Sequence, residues 1–287
     1  MATLIELIVD LLESTFGTWL LNSSESMGQS ILSSTTTYFT EAVTKVCNPT
    51  YLNAITGITI PIGILIMSIY FFVDLMSKSM AANFNTEILI RSFIKFVIGY
   101  ALILNCDKLA GGIISFGDAL TGELVTKVSS HGFDYTLTFN AKKILQYLHD
   151  KKGIAGNFFG LGVLVKLLVK CIAELIITAA YTCMLMMVAY SRAITIFIYR
   201  VFLPVAMADI FGKGIYSGAV KHVKRLLALA MQYPIVYIIC LLSCIFMNSM
   251  DILHTNWAAM LGQMAMIFIV IINTIKKSKD EAMQLFG

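Results

Sequence analysis

From Tyr51 to Leu75 the chain carries one acid, Asp74, at the end of an otherwise apolar run that also holds Pro61 and Gly63. A helix needs about 20 mainly apolar residues to cross the hydrocarbon of a bilayer. Four further runs approach that length: Ile88 to Cys106, Val163 to Tyr190, Leu226 to Met247 and Trp257 to Ile275. Composition agrees, because 58% of the 287 residues are apolar and 13% charged, against roughly 45–50% and 25% in soluble domains. Disordered, collagen-like and soluble nucleic-acid-binding classes are thereby excluded. The expectation is an all-α, polytopic integral membrane protein of the cell membrane, with about five transmembrane helices.

Lys and Arg collect on the cytoplasmic side of spans. Lys276, Lys277 and Lys279 follow the last run, and Lys213, Lys221, Lys224 and Arg225 precede the fourth. The short link Asn248 to Asn256 between the last two runs has no Lys or Arg, and neither do the first 44 residues. This predicts an outside N-terminus and a cytoplasmic C-terminus. Asp107 to Gly162 disagrees, with Lys108, Lys127, Lys142, Lys143, Lys151 and Lys152 placed outside, but long loops weigh little in the rule. The expected organisation is an extracytoplasmic N-terminal amphipathic helix and polar linker (1–50), two spans (51–106) and an extracytoplasmic loop with amphipathic helices (107–162). Spans three to five follow (163–275), with a broken, re-entrant or cytoplasmic segment near 192–225, and then a cytoplasmic tail (276–287).

Met1 to Ser14 lacks the basic start of a signal peptide. Glu6, Asp10 and Glu13 fall on one helical face and Leu4, Ile8, Leu11 and Leu12 on the other, so a surface helix is expected, docked on a partner or on the chain's own spans. Phe139 to His149 reads as a second amphipathic helix. Glycines at 111, 112 and 117 interrupt the stretch before it.

Six cysteines form no CxxC pair, and four of them lie in apolar runs as small packing residues. Cys47 and Cys106 fall at the outer edge, bridged or free. His131, His149, His222 and His254 are scattered, and no HExxH, GxSxG or phosphate-loop pattern occurs. No catalytic group, cofactor or metal is expected. The sixteen methionines read as adaptable packing.

Charges inside apolar runs cost about 2.5–3.5 kcal/mol each on insertion scales, so they face a cavity, a partner or an interface. Lys166, Lys170 and Glu174 recur every four residues on one stripe, which either lines an aqueous path or subunit contact or snorkels to the outer interface. Arg192, Arg200 and Asp209 follow, with Pro204 as the expected helix break. These six charges form the candidate polar face of a pore or subunit contact.

Two stretches, Thr86 to Lys95 continuing through Asn105 to Gly112, and Phe197 to Asp209 ahead of the basic helix Lys221 to Ala230, resemble the TrbL (VirB-six) family. This is the polytopic membrane component of type IV secretion and conjugation machines, and the likeness is greatest to its Gram-positive form. The resemblance covers most of the chain. It implies a non-enzymatic channel or platform subunit, a homo-oligomeric ring through or around which DNA or protein leaves the cell. The implied partners are lipid, the transient substrate, separate ATPases and the other membrane components. Two alternatives stay open: a stand-alone transporter for a small solute or ion, and a membrane interaction protein without a pore.

Overall fold

The computed structural model describes residues 27–80, 85–130, 158–213, 217–248 and 257–286. The expected helices at Met1 to Ser14 and Phe139 to His149 lie outside them. All regular structure among the described residues is helical: α1 (Met27–Val46), α2 (Pro49–Ser79), α3 (Thr86–Leu104), α4 (Cys106–Ser130), α5 (Phe158–Ala208), α6 (Ile210–Lys213), α7 (Gly218–Asn248) and α8 (Trp257–Phe286). Among the described residues three helices are long and apolar enough to cross a membrane: α2, α5 over Ile176–Ala208, and α7 over Gly218–Phe246. α3 follows the expected second run closely, but Glu87, Arg91 and Lys95 sit within its 19 residues.

Local chemistry sets the ends. Pro49 opens α2, where its missing N–H costs nothing, and the Asn48 side chain accepts the Thr50 N–H as a cap. Asn105 alone separates α3 from α4, with φ −102° and ψ 12°. The first part of the anticipated outer loop, Asp107 to Ser130, is therefore helical, and its glycines do not interrupt it.

Pro204 does not break α5, which corrects its reading as the helix break. The helix runs unbroken to Ala208 with Pro204 inside it. A proline removes one rung of the hydrogen-bond ladder. Here Leu203, Pro204, Met207 and Ala208 are all buried, so packing holds the helix across the missing bond. The chain turns only at Asp209.

The residues divide into two compact units. The first comprises Met1–Thr37, Lys127–Met187 and Val236–Lys276. In it Tyr181, Leu185, Val236, Tyr237, Cys240 and Ile275 are buried. The Tyr181 hydroxyl donates to Cys240 Sγ at 3.0 Å, and Thr35 Oγ1 donates to the Ile31 carbonyl at 2.8 Å. The buried hydroxyls are thus satisfied locally, as an apolar interior requires.

The second unit comprises Tyr38–Thr126, Val188–Ile235 and Lys277–Gly287. α2 and α3 pack side by side with α6 against both, and Phe71 lies against Phe96 and Phe211. Met67, Ile103, Ile114, Ile196, Leu203 and Leu226 belong to its core. Cys47 and Cys106 are both buried there as free thiols. Two glycines permit close helix approach: a Cβ on Gly63 would lie 2.6 Å from the Pro204 carbonyl oxygen, and one on Gly117 would collide with the Ala230 carbonyl.

Candidate functional site

The most constrained polar group is Arg192. Its side chain is fully buried, although it sits halfway along the apolar segment Ile176–Ala208. A charge there needs acceptors, and the sequence of α7 supplies them. Pro234 has no N–H, so the carbonyl of Ala230, four residues earlier, lacks its helical partner. Arg192 Nη2 approaches that carbonyl at 3.5 Å, and Nε donates to the Leu229 carbonyl at 2.8 Å. Gly117 of α4 brings its backbone against the same carbonyl.

Two rings frame the guanidinium. Phe39 and Tyr233 stack at 5.1 Å, and the Arg192 Cζ lies 5.6 and 5.5 Å from their centroids. Such contacts contribute about 0.5–2 kcal/mol, more where water is excluded. Asp118 Oδ1 stands 3.9 Å from Nη2 on a carboxylate that is 43% exposed. That is long for a hydrogen bond, so the carbonyls and rings hold the cation and Asp118 adds a weaker field. Nη1 has no acceptor.

Two turns on, Arg200 is held differently. Its Nη2 and Nε donate to Asp107 Oδ1 at 2.5 and 3.2 Å, at the start of α4, where a carboxylate also favours the helix dipole. Asp209 accepts the Gly218 N–H at 2.7 Å and so ties the end of α5 to the start of α7. Arg192, Arg200 and Asp209 therefore each engage a different partner within the chain and do not contact one another. Lys166, Lys170 and Glu174 lie on the helical backbone of α5, and their side chains fall outside the described residues.

One polar cluster escaped the sequence reading. Lys78 Nζ donates to Asp74 Oδ2 at 2.5 Å and to Ser92 Oγ at 2.8 Å, and Ser92 Oγ donates to the same carboxylate at 3.0 Å. It clasps α2 to α3 with Ser92 fully buried. The spacing of Asp74 and Lys78 was visible, but Ser92 gave no signal beyond a hydroxyl in an apolar run.

The outward faces differ between helices. Ile58, Leu65, Phe72 and Val73 on α2, and Phe93, Ile94 and Ile98 on α3, are exposed. Ile194, Ile198 and Phe202 form an exposed stripe on α5. A field of large apolar side chains of this extent marks a membrane or protein contact. Among the described residues no group of His, Cys, Asp and Glu could hold a metal ion. No family model, curated protein or solved structure matches the chain.

Proposed function

We propose that this chain is a non-enzymatic channel or platform subunit of a conjugative type IV secretion apparatus. It would reside as a multi-pass protein in the cell membrane and assemble as a homo-oligomeric ring for passage of DNA or protein. In this reading α3 and the Trp257–Ile275 part of α8 join the three long apolar helices to give five spans, with the N-terminus outside and the C-terminus in the cytoplasm. Energy comes from separate ATPases, and the other membrane components are its partners. The observation that carries the membrane part is the contrast between the apolar outer faces of α2, α3 and α5 and an arginine held by backbone carbonyls deep among helices. Buried charges in spans are arranged in this way when they serve a bundle interior. The secretion part rests on the resemblance of Thr86 to Gly112 and Phe197 to Ala230. The test is a clean deletion of the gene with every other component intact, scored by DNA transfer between cells. Transfer is expected to be abolished and restored by the gene in trans. Wild-type transfer from the deletion strain removes the assignment.

A further inference from the structure

Arg192 also gives a measure of depth. It lies sixteen residues from either end of Ile176–Ala208, and its acceptors Leu229 and Ala230 lie close to the middle of Gly218–Phe246. What touches Arg192 is therefore near the midplane of both apolar segments. Phe39 of α1 and Asp118 of α4 both do. Neither helix is itself a long apolar segment.

The outward faces of these two helices are unlike those of their neighbours. Around Phe39, α1 exposes Thr40, Thr44 and the ion pair of Glu41 with Lys45, whose side chains are 50% and 62% exposed. Around Asp118, α4 exposes Ser115, Gly122, Glu123 and Thr126, with Lys108 further back. Phe116 is the large apolar side chain exposed on α4, and α1 exposes none among its described residues. At the same level α5 exposes Ile194 and Ile198. One height of the protein thus has an oily side and a hydrophilic side. Lipid satisfies the first. An exposed Glu–Lys pair and a half-exposed carboxylate near the midplane require water or polar protein. Charges distributed along both helices, with small or hydroxylated residues between them and Phe116 as the single large apolar side chain exposed among the described residues, too little to form the dry centre of a protein contact, favour water.

We propose that the outward faces of α1 and α4, which reach mid-membrane depth from the outer side without adding to the five crossings, line a water-filled passage walled by several copies of this chain. This rests on the channel reading above and names its lining helices, in place of the Lys166 to Asp209 face that the sequence suggested. Arg192 stands behind the wall, and Asp118 is the group through which its charge reaches the water.

The test uses the full-length oligomer in liposomes, spin-labelled one site at a time at Thr44→Cys, Ser115→Cys or Gly122→Cys, and at Ile194→Cys or Ile198→Cys. The background has its native cysteines replaced and elutes as the wild-type oligomer does. Collisions with a water-soluble nickel complex and with oxygen, which concentrates in hydrocarbon, are compared. Labels at 44, 115 and 122 are expected to favour the nickel complex several-fold over labels at 194 and 198, which favour oxygen. Oxygen-dominated collisions at 115 and 122 overturn the passage, because the face then meets lipid. Low collisions with both reagents overturn it too, because the face is then sealed against protein. Nickel-dominated collisions at 194 and 198 overturn it by placing that level outside the bilayer. Hydroxyl-radical footprinting of the unmodified protein in liposomes covers the case in which the cysteine-free background fails to assemble. Phe116 is expected to be oxidised and Phe202 spared, and the reverse pattern overturns the proposal. A wet face at 115 and 122 combined with unimpaired DNA transfer on deletion keeps the passage and removes the secretion apparatus, so the two readings fail separately.

Discussion

At Arg192 the balance of forces can be read from magnitudes. The guanidinium serves two backbone carbonyls, one of which Pro234 has left without its own donor. Leaving a buried carbonyl unpaired costs about 1–3 kcal/mol. Arg192→Ala is therefore expected to destabilise the detergent-solubilised protein by about 2–4 kcal/mol, measured as a lowered unfolding midpoint. Arg192→Lys should recover only part of this, since an ammonium cannot fork to two carbonyls while lying along the rings. Asp118→Asn should cost less than about 1 kcal/mol, because its carboxylate is 43% exposed and 3.9 Å away. If Asp118→Asn proves as damaging as Arg192→Ala, the ion pair and not the carbonyls holds this centre. The sequence marked Arg192 as an expensive charge in an apolar run. It did not reveal the solution, because helical spacing assigns a residue to a face without naming what lies opposite, and Phe39 and Tyr233 come from distant helices.

Among the helices, glycines separate into contacts and bystanders. Gly63 and Gly117 sit against backbone carbonyls that cannot yield, whereas nothing approaches within 4 Å of a Cβ on Gly112 or Gly122. Gly117→Ala and Gly63→Ala should each force helices apart and lower the unfolding midpoint by the equivalent of about 1–3 kcal/mol. Gly112→Ala should be neutral or stabilising by up to about 1 kcal/mol, since alanine is the better helix former. Equal midpoints for Gly117→Ala and Gly112→Ala would refute the close approach of α4 to α7. Gly111, Gly112 and Gly117 misled the sequence reading, which took them as interruptions and so read a loop where α4 stands. Pro204 misled it in the same way. Local propensity argued for a break at each, and tertiary burial of Leu203, Met207, Ala110 and Ile114 overrode it.

Over the whole chain, apolar run length located α2 and α7 well, because crossing hydrocarbon leaves little freedom in composition, whereas the run Val163 to Tyr190 overlaps the apolar segment Ile176–Ala208 of α5 only in its second half. Charge-bearing α3 was harder, since a helix with Glu87, Arg91 and Lys95 satisfies a length criterion while straining a hydropathy one. Five spans require the two ends of the chain to lie on opposite sides. A reporter active only in the cytoplasm should be active when fused after Gly287 and silent when fused before Met1, and a periplasm- or surface-specific reporter should do the reverse. Matching activity at both ends would reduce or raise the number of crossings by one. A final consequence comes from Asn105, the lone residue between α3 and α4. Two rods joined through one residue share a phase: each residue added at the joint would turn α4 by about 100° about its own axis. The bearing of Asp118 toward Arg192, and of Gly117 toward α7, is consequently written into the length of that joint as much as into the residues themselves.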